Sequence, residues 1–137
     1  MVQRGPLSDS VITAVSRLVD DAQTERRDPS HSDLQFRIDR AGLQQADPQR
    51  QGQTVGKAKR VRAVLSWALD HNHAAGEVLV ASLVSTIRGL GGFRPTSDNY
   101  VGQGAIQDAI AAFREEGFDL SGDGDLRPIV LANLSGV

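Results

Sequence analysis

From Ser8 to Gln23, the apolar residues Val11, Ile12, Val15, Leu18 and Val19 recur at three- and four-residue spacings, which predicts an amphipathic helix running out before Pro29. Ser32, with Gln35 three residues later, reads as a capping box that opens a short second helix with Leu34, Ile38 and Leu43 as apolar positions and Gly42 as terminator. Residues 44–55 offer almost nothing that a core would bury and read as an exposed, flexible loop. A third helix begins at Gly56, places Val61, Val64, Leu65, Ala68 and Leu69 on one stripe, and ends at His71-Asn72-His73. A fourth, Ala74 to Leu90, carries Val78, Leu79, Leu83, Val84, Ile87 and Leu90, a face wide enough for the central core element, and stops at Gly91-Gly92. The fifth spans Gly102 to Glu116, with Ile106, Ala109, Ile110 and Phe113 inward and Gly117 closing it.

The period then changes. Phe118-Asp119-Leu120 and Leu126-Arg127-Pro128-Ile129-Val130 flank Ser121-Gly122-Asp123-Gly124-Asp125, and Asp123-Gly124 is a hairpin signal. The expected fold is all-α, about five helices in a compact bundle with a small C-terminal β-hairpin resembling a wing. It forms one domain over residues 1–137.

Composition narrows the chemistry. With no cysteine, thiol catalysis, thiolate zinc sites and iron–sulfur ligation are excluded, and a reducing compartment is expected. Met1 to Pro6 enters a polar helical pattern without the apolar run of a signal peptide. The most apolar stretch, Val78 to Leu90, is interrupted by Ser82, Ser85, Thr86 and Arg88 and falls short of the roughly 20 residues of a spanning helix. A cytoplasmic protein with no membrane partner is therefore expected. The small residues that close the sequence, Asn133 to Val137, read like a cut at a domain boundary.

The net charge of −2 conceals two opposed segments. Residues 50–69 hold Arg50, Lys57, Lys59, Arg60 and Arg62 and no acid, whereas residues 103–137 set two arginines against six acids. Four of those cations fall in the first turns of the third helix, where they oppose the macrodipole. A phosphate or an acidic partner surface would convert that cost into binding. Lys57, Lys59, Arg60 and Arg62 are therefore the candidate nucleic-acid contacts, with Arg127 on the hairpin as a second contact. The alternatives are a solvated face, or neutralisation by Glu115, Glu116, Asp119, Asp123 and Asp125.

Other constellations carry less. Gly52-Gln53-Thr54-Val55-Gly56-Lys57-Ala58 differs from a phosphate-binding loop in its glycine spacing, in Ala58 where a hydroxyl is needed, and in having no preceding strand. Arg26 and His31 stand at the Arg-x4-His spacing of HEPN ribonucleases, but Asp28-Pro29 interrupts the helix such a pair needs, so chance is the reading. His71 and His73 lack companions for a metal site, and no metal or other cofactor is expected. The Asp119-x-Ser121-x-Asp123-Gly124-Asp125 run imitates a calcium loop, yet Val130 stands at the twelfth position, and a turn accounts for it better. Trp67 reads as a rim-of-core residue, with a stacking platform as the alternative. No catalytic residue is assigned.

The order of three segments is similar to a known family. Ser32 to Leu43, ending Arg40-Ala41-Gly42-Leu43, then Gly56 to Leu69 with its Lys57-Ala58-Lys59-Arg60 start, and finally Phe113 to Phe118 with Asp123-Gly124-Asp125-Leu126-Arg127-Pro128, resemble the N-terminal domain of bacterial abortive infection family proteins. The resemblance covers roughly residues 8–136. It implies a non-catalytic regulatory or sensing domain of an anti-phage defence protein, normally followed by a C-terminal, often HEPN-like effector that this sequence lacks. The partners it leaves open are nucleic acid, such an effector domain, or another protein. The alternative reading is a protein–protein interaction or oligomerisation module with no nucleic-acid role, suggested by the broad apolar fourth helix and the opposed charge patches.

Overall fold

Helix α1 spans Asp9–Val19 and starts where the Ser8 hydroxyl accepts the Val11 N–H at 3.2 Å. In the computed structural model, which describes residues 3–21 and 28–130, it ends as Asp20 turns to extended backbone. The helix is shorter than its periodicity suggests because Asp20 and Asp21 bring negative charge to the negative end of the dipole. The rest of the expected extension, up to Gln23, lies outside the described residues.

Helix α2, His31–Arg40, is capped by Ser30 and not by Ser32. The Ser30 hydroxyl accepts the Asp33 N–H at 3.1 Å and the Asp33 carboxylate accepts the Ser30 N–H at 2.8 Å. The Ser30/Asp33 box wins over Ser32/Gln35 because a full carboxylate faces the positive end of the helix. At the other end Gly42 takes φ of 76°, and the Leu43 N–H reaches back to the Ile38 carbonyl at 3.1 Å. Leu43 is buried just beyond the helix, in the position that accompanies such a left-handed terminator.

The segment expected as an exposed loop is instead two short 3-10 turns, Gln44–Ala46 and Pro48–Gln51, and it buries Asp47 and Pro48. Helix α3 follows at Lys57–His71 and α4 at His73–Gly89. Asn72 serves both, closing α3 and accepting the Ala75 N–H at 3.2 Å to open α4. Helix α5 is Gln103–Glu115, and strands β1, Phe118–Leu120, and β2, Leu126–Pro128, pair antiparallel with Leu120 opposite Leu126. The described residues therefore contain five α-helices and a two-stranded hairpin, as the patterning predicts, together with the two 3-10 turns that it does not.

Helix α1 lies at the centre, packed on α3, α4 and α5, while α2 rests on α3 and α4 and the hairpin on α5. Val11, Val15 and Leu18 of α1 meet a core that includes Leu65, Leu79, Leu83, Ile87 and Phe113. Burial of such apolar surface, about 25 cal/mol per Å², is the main stabilising term. An N-terminal strap closes one side: the Gly5 N–H donates to the Glu77 carbonyl at 2.8 Å, and Gln3 Nε2 to the Leu126 carbonyl at 3.2 Å. No helix among the described residues is long and apolar enough to cross a membrane.

Candidate nucleic-acid interface

The five cations proposed from sequence have different fates. Arg60 sits on the apolar stripe of α3, one turn before Val64, and is 0% exposed. Its Nε donates to Asp47 Oδ1 at 3.0 Å and its Nη2 to Asp47 Oδ2 at 2.6 Å. The pair is the two-point fork that guanidinium and carboxylate planes favour. Arg60 is thus corrected from a phosphate contact to a buried structural residue, because a side chain enclosed by the fold cannot meet an external anion. Asp47 also accepts the Gln49 N–H at 3.1 Å, so the same carboxylate caps the second 3-10 turn.

His31 completes this cluster. Arg60 Nη1 donates to His31 Nδ1 and to the His31 carbonyl, each at 3.1 Å, and Gln49 Nε2 reaches the same Nδ1 at 3.1 Å. Arginine carries only donors, so Nδ1 must be the lone-pair nitrogen and the ring proton sits on Nε2. Burial, then the charges of Arg60 and Lys57, hold the His31 pKa below its ordinary value. Arg26, the other half of the Arg-x4-His spacing, lies outside the described residues.

Lys59 and Arg62 are exposed, one helical turn apart on the outer face of α3, and no carboxylate pairs with either among the described residues. Lys57 is half-buried at the helix start and has an interaction partner. Gly56 caps the helix without a side chain, and no acid occupies the first turn. Arg127, on the exposed side of β2, has its Nε 2.7 Å from Asp125 Oδ2. The acidic tail does not neutralise Arg50 or Arg60: Arg50 pairs with Asp39 at 2.5 Å, Arg60 with Asp47, and Asp125 with Arg127 and, at 3.8 Å, Arg88.

The remaining motifs are taken up by local structure. The Asp119–Asp125 run is the hairpin turn, with the Ser121 hydroxyl bonded to the Asp123 carboxylate and the Ser121 N–H donating to the Asp125 carbonyl at 2.9 Å. That serine contact holds the Asp123 pKa below its usual range. Trp67 is half-buried against the core, and the His71 ring stacks on it with centroids 4.5 Å apart and planes 14° apart. One face of the indole is therefore occupied. No group of three or more histidine, cysteine or acidic residues able to hold a metal occurs among the described residues.

Two cations outside the sequence-derived set stand out. Arg37 and Arg40, in the last turn of α2, have no carboxylate partner among the described residues. Their guanidinium carbons lie 5.2 and 5.8 Å from the ring centroid of Phe36, which is 53% exposed. The signal in the sequence is Phe36 next to Arg37 with Arg40 one turn on, in a helix whose apolar positions are Leu34 and Ile38. No family model, curated protein or solved structure matches this chain.

Proposed function

We propose that this chain is the non-catalytic regulatory or sensing domain of an abortive-infection, anti-phage defence protein of the cytoplasm, and that it contacts nucleic-acid phosphates through α3. The observation that carries the phosphate reading is the exposed Lys59/Arg62 pair at a helix start with no acid in its first turn. Cations there oppose the macrodipole by a few tenths of a kcal/mol each, and an incoming phosphate reverses that balance. Lys57 lies beside them, and Arg127 is a second contact once a phosphate competes for it with Asp125. The family and regulatory parts of the proposal rest on the three segments quoted above.

Binding of single-stranded and duplex oligonucleotides at about 50 mM salt tests it, because phosphate contacts make affinity fall steeply with added salt. Lys59→Glu with Arg62→Glu is expected to abolish association. Wild-type protein that binds no DNA or RNA, or a double variant that binds as before, overturns the reading. The broad apolar stripe of α4 that motivated an interaction module is committed to the core through Leu79, Leu83, Val84 and Ile87.

A further inference from the structure

Between α2 and α4 runs a groove of about 280 Å³ lined by Gln3, Arg37, Arg40, Val78, Ser82 and Ser85, with Ala41 and Ala81 beneath. No acid lines it. The acids of α2 are committed elsewhere, Asp33 to the Ser30 N–H and Asp39 to Arg50. From α4 the groove receives Val78, Ala81, Ser82 and Ser85, a run of one helix face. The hydroxyls of Ser82 and Ser85 have no hydrogen bond among the described residues. A place in the last helical turn explains two arginines by the macrodipole, but it does not explain two unmatched arginines at one cleft beside free hydroxyls.

The second feature is Phe36. A lone exposed aromatic is ordinary, but this ring, which lines the neighbouring face of α2 with Ser32, Gln35 and Asp39, lies within cation–π range of both arginines, so the two guanidinium groups join apolar surface beside the groove to the positive charge within it. That combination suits a chain of alternating anions and aromatic rings.

We propose that the α2–α4 groove seats single-stranded nucleic acid. Arg37 and Arg40 engage backbone phosphate, Ser82 and Ser85 donate to its oxygens, and an unpaired base stacks on the open part of the Phe36 ring. This deepens, and rests on, the nucleic-acid reading given for α3, and it adds a surface that selects for strandedness. The cleft stands near the lower bound of ligand sites, roughly 300 Å³, which suits a phosphate and its sugar. A duplex keeps its bases stacked inside and presents no free base face to Phe36, whereas splayed single strands use aromatic platforms of this kind.

Fluorescence anisotropy with labelled single-stranded oligonucleotides, a duplex of equal length, a nucleoside monophosphate and an acidic peptide tests the proposal. The variants are Phe36→Ala, Phe36→Trp, Arg37→Ala with Arg40→Ala, and Lys59→Glu with Arg62→Glu; circular dichroism confirms that each is folded. The expected result is tighter binding of the single strand than of the duplex and a loss of about 10-fold in Phe36→Ala that Phe36→Trp restores. The Arg37/Arg40 double variant should flatten the slope of log affinity against log salt by about 1.4, the share of two single-strand phosphates. Binding that ignores the Phe36 and Arg37/Arg40 changes but is lost in the Lys59/Arg62 variant overturns the groove and leaves the α3 reading intact. Loss of wild-type binding to every oligonucleotide overturns both. Arginine-dependent capture of the acidic peptide alone, or a monophosphate that matches the oligonucleotide in affinity, also overturns the strand proposal.

Discussion

Arg60 and Asp47 meet through two nitrogens and two oxygens, at 3.0 and 2.6 Å, with side chains 1% and 0% exposed. The contact ties the start of α3 to the polar turns that precede it. Removing one partner leaves the other charge buried and uncompensated, at about 3–5 kcal/mol. Arg60→Met is therefore expected to lower the unfolding free energy by that amount. Arg60→Met with Asp47→Leu should recover most of the loss, since an apolar pair of similar volume carries no desolvation penalty. Denaturant titration of the four proteins in this cycle checks it, and simple addition of the two single losses would show that the side chains do not act as a pair.

Acidification acts on the same cluster through His31. Burial and the charges of Arg60 and Lys57 hold its pKa below the ordinary histidine value, and its Nδ1 accepts from Arg60 and Gln49 in the neutral form. Above about 6.5 the ring is neutral in both states and its contribution is complete. As pH falls below that value the unfolded chain takes up a proton before the folded one, so stability is lost until the pH passes the folded pKa. Urea midpoints measured across this range should fall with pH in the wild type and fall less in His31→Asn, which keeps an acceptor near the Nδ1 position. Equal slopes for the two proteins would exclude His31 as the group responsible.

The start of α2 gives a comparison between two serines two residues apart. Ser30 holds the capping box, whereas Ser32 lies exposed in the first turn. Ser30→Ala should cost about 1 kcal/mol, and Ser32→Ala should remain within the few tenths expected of a surface site. Thermal unfolding of both variants distinguishes them.

In the hairpin turn, Gly124 has φ of 91°, and a Cβ placed there would stand 2.7 Å from Cδ1 of the Phe93 ring. Gly124→Ala therefore meets both backbone strain and a buried aromatic, together worth about 1–3 kcal/mol. Gly122→Ala, with open space around the added methyl, should be close to neutral. A melting temperature that drops equally for both would mean that the turn, and not the Phe93 contact, sets the sensitivity.

Much of the scaffold was legible because its driving force is periodic. Val11, Val15 and Leu18 announce the buried face of α1 by spacing alone, and the shift from helical to alternating pattern at Gly117 announces the hairpin. The Arg60–Asp47 pair was not legible in the same way. A charged residue reads identically in a sequence whether it is solvated or enclosed, and Asp47 lies in a run with few apolar neighbours. The phase of α3 did contain a hint, since Arg60 falls on the Val61/Val64/Ala68 stripe. Ser30 and Ser32 each precede a suitable third residue, and what separates them is the charge of that residue, the Asp33 carboxylate against the neutral Gln35 amide. Lys59 and Arg62 are found where the acid-free segment places them, outside the core, while the Arg37/Arg40 groove needs α4 to complete it and so has no signature in α2 alone.

The strap at residues 3–7 has a consequence for synthesis. Gln3 bonds to Leu126, a partner 123 positions away, and Gly5 sits against α4. Contacts this distant close slowly, because chain entropy must be overcome before they form. On the ribosome the strap has no complete seat until β2 has emerged, by which time α1 to α5 can already have assembled. A pause in translation after α5 but before β2 would therefore leave the Gln3 end of the strap unlatched over an otherwise formed helical core.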